Sequence, residues 1–289
     1  MKLKATMLFL GLCFALSVVA ARPADAQLSG PEGLAFGSNG TLWVANSGAN
    51  QVLELNPSNG KVLHKITKSI NAPLRLAFDS LGNLWVVNGG NGTITGYNKK
   101  LQLFSTYSEA GSGPLGVAVD AYGDTYIANN QANDIVALNV GFGRLVETLT
   151  QDKSGFPFTS SGALAINGRN LYAGFGSGDS EDAVISYNVG EFLTHDPKEI
   201  TLYNDNVNTG PTGIAFDSQG NVYISCLYSG TAVKYKLGKG SKPVLVISQA
   251  IGGPEGIAVD TSGKIYVSNS SYDDITVYNS SGKLINTLD

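Results

Sequence analysis

Two carboxylates carry the most promising chemistry in this sequence. Glu32 and Glu255 lie far apart in the chain yet hold the same place in a recurring motif, the middle residue of Pro-x-Gly. Carboxylates brought close together either raise the pKa of one partner or recruit a cation. Other reactive side chains are sparse. His64 falls in the stretch Lys61–Ile66 and His195 in a long polar segment, and both read as surface residues rather than bases or ligands. Without a placed histidine, a Ser-His-Asp triad has no base. Cys226 ends an apolar run with no histidine near it in sequence, so it reads as a buried, inert thiol. No residue is assigned a catalytic role.

The motif that carries the glutamates is one copy of a longer unit. Segments opening at Pro31, Pro73, Pro114, Pro211 and Pro254 share the pattern Pro-x-Gly-apolar-Ala-apolar or a near relative, and a degenerate sixth opens at Ser161. From each Pro to the next aromatic (Trp43, Trp85, Tyr126, Tyr223, Tyr266) is 12 residues, and from Ser161 to Tyr172 it is 11. A further marker follows each of the five aromatics by 12 residues (Leu55, Tyr97, Leu138, Tyr235, Tyr278), and Tyr187 follows Tyr172 by 15. A fixed period of about 43 residues signals a repeat architecture.

Within a unit, short runs rich in Val, Ile and aromatics alternate with Asp/Asn/Gly turns. The turns at Asp79–Gly82, Asp120–Gly123, Asp217–Gly220 and Asp260–Gly263 pair an Asp, which bonds its own backbone, with a Gly that supplies positive φ. Four strands per unit and six units predict an all-β, six-bladed β-propeller of four-stranded antiparallel blades over residues 27–289. The first strand of every unit has alanine at its centre (Ala35, Ala77, Ala118, Ala165, Ala215, Ala258), which is expected to relieve crowding at the axis. Unit six keeps its own last strand, Lys283–Leu288, so the ring needs no strand from the N-terminus.

These units resemble the NHL repeat, most fully over Gly253–Asn269, where Gly-Pro-Glu-Gly-Ile-Ala-Val-Asp is followed by a turn Gly, an aromatic and Val. The usual Asp at the end of the second strand is Asn46, Asn88, Asn129 or Asn269 in four units, and Phe175 or Cys226 in the others. The resemblance implies that the residue after each Pro approaches an axial channel: Glu32, Leu74, Leu115, Gly162, Thr212 and Glu255. Units one and six meet when a ring closes, which places Glu32 beside Glu255. Candidate ligand contacts on this face are Glu32, Glu255, Arg75, Thr212, Asn46 and Asn269. Phe156 and Phe158, in the long connection before unit four, are added as aromatic contacts, because loops on a rigid scaffold carry specificity. The loop Gly176–Asp182 holds Asp179, Glu181 and Asp182, which could hold Ca²⁺ but, without EF-hand spacing, read as a solvated acidic loop.

Gluconolactonase-like and streptogramin-lyase-like propellers are the enzyme families to compare. The former hold a divalent ion with Glu, Asn and Asp from several blades. Glu32 matches the Glu, but Leu74, Leu115, Gly162 and Thr212 leave the set incomplete, and a Ca²⁺ site wants six or more oxygens. The latter need histidines on this face. No cofactor is therefore expected, and the favoured function is non-catalytic binding of a peptide, glycan or small ligand. A metal-dependent hydrolase or lyase is the alternative, and a structural surface component the second.

Residues 1–26 have the form of a signal peptide: Lys2 and Lys4, an apolar run over Met7–Ala21, and small residues at Ala24 and Ala26. The run is shorter than a membrane span requires. Removing it before Gln27 takes away Lys2, Lys4, Arg22 and Asp25 and leaves 16 basic and 22 acidic side chains, a net charge of −6. An acidic chain without basic runs is unsuited to nucleic acid. A secreted or periplasmic monomer with no membrane insertion after signal removal is expected, and Cys226 alone can form no internal disulfide.

Overall fold

Pro lacks an N–H, so it opens a strand without leaving a ladder bond unmade. The residues after it form a bulge: Pro31 pairs with Asn46 but Leu34 with Val44, and blade 6 repeats this with Pro254–Asn269 and Ile257–Val267. These local rules are repeated around a ring in a computed structural model that describes residues 27–108, 113–139, 144–150, 162–176, 183–189, 210–238 and 242–289. Blade 1 comprises β1 (Pro31–Phe36), β2 (Leu42–Asn46), β3 (Gln51–Leu55) and β4 (Val62–Ile66). Blade 2 comprises β5 (Pro73–Phe78), β6 (Leu84–Asn88), β7 (Thr93–Tyr97) and β8 (Leu103–Tyr107). Blade 3 follows with β9 (Pro114–Val119), β10 (Thr125–Asn129), β11 (Asp134–Asn139) and β12 (Arg144–Leu149). Blade 4 shows β13 (Leu164–Asn167), β14 (Asn170–Phe175) and β15 (Ala183–Asn188) among the described residues. Blade 5 has β16 (Pro211–Phe216), β17 (Asn221–Cys226), β18 (Thr231–Lys236) and β19 (Leu245–Ile247). Blade 6 has β20 (Pro254–Val259), β21 (Ile265–Asn269), β22 (Asp274–Tyr278) and β23 (Leu284–Leu288).

Among the described residues each blade is its own antiparallel sheet in chain order, and no strand is exchanged between blades. The ring closes by side-chain packing instead. Leu28, Leu34, Leu42 and Val44 of the N-terminal side pack with Ala258, Tyr266 and Val277 of blade 6, and the Gly30 N–H donates to Asp273 Oδ1 at 2.5 Å.

The core is divided accordingly. Apolar clusters fill the wedges between successive blades, so each second-strand aromatic lies against the next blade. Trp43 meets Phe78 edge-on at 5.8 Å, Tyr172 meets Phe216 at 4.7 Å, and Tyr266 meets Phe36 at 5.2 Å across the closure.

The six alanines differ from expectation in what they relieve. Each is the cross-strand partner of its blade's aromatic: Ala35 of Trp43, Ala77 of Trp85, Ala118 of Tyr126, Ala165 of Tyr172, Ala215 of Tyr223 and Ala258 of Tyr266. The small residue makes room for the ring in the wedge. Axial crowding is relieved by the Gly of Pro-x-Gly: a Cβ on Gly256 would stand 2.4 Å from Glu32 O, and one on Gly116 2.6 Å from Gly162 O.

The predicted Asp turns are present, with Asp217 Oδ1 accepting from the Gln219 and Asn221 N–H groups and Oδ2 from the Tyr223 hydroxyl at 3.0 Å. Cys226 is fully buried. Residues 1–26, Phe156, Phe158, Ser161, Asp179, Glu181, Asp182 and His195 lie outside the described residues. Among the described residues no helix is long and apolar enough to cross a membrane.

Candidate functional site

The residues after each Pro converge as the motif requires. Glu32, Leu74, Leu115, Gly162, Thr212 and Glu255 all line one cavity of about 250 Å³ at the axis. Tyr228 and Leu227, from the β17–β18 turn, extend its wall. Below it lies a void of about 50 Å³ lined by the innermost strands. Arg75 lines both, so it plugs the channel at its mouth.

Arg75 owes this position to a departure from the repeat. It stands in blade 2 where blades 1, 3, 5 and 6 have the Gly of Pro-x-Gly. Instead of passing close by a neighbouring backbone, the chain sends a guanidinium across the axis. Nη1 donates to Glu32 Oε2 of blade 1 at 3.0 Å, and Nη2 to Glu255 Oε2 of blade 6 at 3.0 Å. Nε donates to Thr212 O of blade 5 at 3.2 Å, and Nη1 also to Leu74 O at 2.9 Å. One side chain thus stitches four blades, using the rigid fork that makes arginine the best carboxylate partner.

Glu32 and Glu255 therefore meet through a shared cation rather than as a bare repulsive pair. The guanidinium fills the place between them that a divalent ion would need. The three side chains are 19%, 15% and 13% exposed for Glu32, Glu255 and Arg75, and their formal charges sum to one negative charge. Burial raises the Glu32 pKa above the usual glutamate value; Arg75 pulls it down and the Glu255 carboxylate pushes it up, leaving it raised. Burial alone would lower the Arg75 pKa, but the Glu255 and Glu32 carboxylates outweigh it and hold the guanidinium charged.

Hydroxyls on the first and second strands brace the same arc. Ser268 Oγ donates to Glu32 O at 2.5 Å, Ser225 Oγ to Glu255 O at 3.1 Å, and Thr212 Oγ1 to Pro254 O at 2.8 Å. Sequence reasoning passed over Ser225 and Ser268. Their signal was positional: they alone put a hydroxyl one residue before the end of the second strand, where other blades have Ala45, Val87, Ala128 or Gly174.

Asn46 and Asn269 are placed differently from the mouth residues, since both are fully buried. Asn46 Oδ1 accepts from the Ser29 N–H at 2.7 Å while Nδ2 donates to Gln27 O at 2.8 Å. Asn269 Oδ1 accepts from the Gly252 N–H, and Nδ2 donates to Asp274 Oδ1 and Thr276 Oγ1. Their amide oxygens hold the segments leading into the Pro-x-Gly strands, while the Asn46 Nδ2 binds that segment too and the Asn269 Nδ2 binds β22. His64 sits on the outer strand β4, with Nδ1 against Glu54 Oε2.

Known structures share this architecture. A streptogramin B lyase is 18% identical over 90% of this chain and 83% of its own, with a TM-score of 0.66. Virginiamycin B lyase from Staphylococcus aureus gives 16% identity, coverage of 89% and 83%, and a TM-score of 0.63. A chain of a nidogen/laminin complex gives 14%, 89% and 92%, and 0.69. At these identities the likeness concerns the fold alone. No curated protein sequence matches the chain. A family-level match runs over residues 19–285, nearly the whole propeller, and by it the chain belongs to the family described as outer membrane protein assembly factor BamB.

Proposed function

We propose that this protein is an exported, non-catalytic binding propeller whose mouth accepts a basic side chain of a polypeptide partner. The observation that carries this reading is the mouth itself. A net-negative floor of Glu32, Arg75 and Glu255 lies beneath apolar walls from Leu74, Leu115, Leu227 and Tyr228. A lysine or arginine side chain has the matching profile, an apolar stem with a cationic head. Each carboxylate bonds Arg75 through Oε2, and Oε1 is the oxygen we assign to the incoming head. The assembly-factor description of the family fits a polypeptide ligand, and the signal-peptide form of the sequence over residues 1–26 is consistent with an extracytoplasmic site.

The test is capture of a Leu-Lys-Leu peptide against its Leu-Glu-Leu counterpart by the mature protein. Wild type should retain the lysine peptide selectively. Leu115 is only partly buried, so Leu115→Arg places a competing cation in the mouth without emptying a core. It should weaken capture at least about tenfold, or 1.4 kcal/mol, with melting near wild type. Equal retention of both peptides, or unchanged capture by Leu115→Arg, would refute the reading.

A further inference from the structure

On the opposite face, the turns of blades 1 and 2 enclose a groove of about 430 Å³, a size common for small-molecule sites. Its origin is a second departure from the repeat. In four blades the turn Asp satisfies the second-strand aromatic: Asp79 accepts from Trp85 Nε1 at 3.3 Å, Asp120 from Tyr126 at 3.4 Å, Asp217 from Tyr223 at 3.0 Å and Asp260 from Tyr266 at 3.5 Å. Blade 1 has Gly37 at this position. A Cβ built there would lie 2.8 Å from Asn39 Oδ1 and 3.1 Å from Trp43 Nε1, so the indole nitrogen borders the space the missing Asp would fill, beside the Asn39 amide. Trp43 is 5% exposed, lines the groove, and has no hydrogen-bond acceptor for its N–H among the described residues. Four blades show what meets the aromatic at this position, a carboxylate; in blade 1 the indole N–H is left open to whatever enters the groove.

The remaining polar groups of the groove agree. Glu54 pairs across the strands with Trp43, but its acceptor capacity is engaged: Asn39 Nδ2 and Thr41 Oγ1 donate to Oε1 at 3.1 and 2.6 Å, and His64 Nδ1 lies 2.5 Å from Oε2. Burial opposes ionisation of Glu54, yet the bonds from Thr41, His64 and Asn39 prevail and lower its pKa. Lys99 and Lys100 line the other wall, and the Lys99 stem lies across Gly82. The groove thus offers a visitor the indole N–H and two ammonium groups, with Ser38, Asn98 and His64 also on its walls, beside the apolar sides of Phe78 and Leu101.

We infer that this groove binds a small organic oxyanion, a carboxylate or a phosphate monoester, whose oxygen takes the Trp43 N–H in place of the turn Asp. The chain has two tryptophans, so its indole spectrum holds two N–H signals, and Trp85, bonded to Asp79, serves as an internal reference. The ¹⁵N-labelled mature protein is titrated with benzoate, phenyl phosphate and neutral benzyl alcohol. Saturable movement of the Trp43 signal with either anion, with Trp85 still and the alcohol silent, is the expected result. A response to one anion alone supports the site and assigns the source chemistry. Gly37→Asp should abolish the response, because Asp meets the aromatic in four other blades; its Cβ would stand 2.8 Å from Asn39 Oδ1, so the Asn39 side chain must shift, and an unmoved Trp85 signal confirms that the fold is kept. Lys99→Gln with Lys100→Gln should weaken the anion at least about tenfold. A Trp43 signal unmoved by both anions, moved equally by benzyl alcohol, or unaffected by the lysine variants would overturn the inference.

Discussion

At the scale of single residues, Arg75 decides what the mouth is. Removing it leaves two largely buried carboxylates facing each other, and breaking a buried ion pair from one side costs about 3–5 kcal/mol. Because the cluster keeps some solvent access, Arg75→Gln should fall near the lower end, about 3 kcal/mol by chemical denaturation. Glu32→Gln with Glu255→Gln should destabilise comparably, since it strands the guanidinium; a fold unaffected by that double change would show that the ion pairs are idle. The raised Glu32 pKa also has a sign. The folded chain holds this proton more tightly than the unfolded one, so Glu32's contribution to stability falls as pH rises from the usual glutamate value of 4.5 through its raised value. Over the same interval the mouth gains negative charge, and capture of a lysine peptide should strengthen. Capture that weakens with rising pH there would place the cation elsewhere. Much of this was legible in the sequence: equal positions in units one and six put Glu32 beside Glu255. Arg75 was visible as a misfit at a glycine position, but its reach to Thr212 of blade 5 depends on how the ring closes, which no local pattern encodes. Asn46 and Asn269 share the face by topology, yet whether an amide turns to solvent or to its own backbone is a matter of side-chain direction that spacing leaves open.

At the scale of the element, the repeat is a cross-strand pair of one alanine and one aromatic. Ala118 is 4% exposed and sits opposite Tyr126 in the wedge between blades 3 and 4. Ala118→Leu should therefore destabilise by about 1–3 kcal/mol through overpacking against that ring. Trp85 is fully buried against blade 3 and stacks on Tyr107 at 5.9 Å, so Trp85→Ala should cost about 3–5 kcal/mol. A loss under about 1 kcal/mol would mean that the wedges do not hold the blades together. The period, the turns and the strand order were all readable because each repeats with its own chemistry. The sequence does not distinguish a small residue needed at the axis from one needed beside a ring, because both demands select alanine.

At the scale of the molecule, the N-terminal edge is part of the closure. Leu28 is 2% exposed in the wedge between blades 6 and 1, and Asn46 bonds both Gln27 O and Ser29 N. Removal of residues 1–26, the cleavage proposed from the sequence, would retain all three contacts. Intact mass of the exported protein should begin at Gln27, and deleting residues 27–29 as well should cost about 2–4 kcal/mol from lost Leu28 burial and two hydrogen bonds. The central claim, that the axial mouth takes a basic side chain, is tested most directly by a crystal structure of the mature protein with the Leu-Lys-Leu peptide. The lysine ammonium should lie in the mouth, about 2.7–2.9 Å from a carboxylate oxygen of Glu32 or Glu255, with Arg75 still bridging them. Peptide density on a blade edge or on the opposite face, with the mouth unchanged, would contradict it.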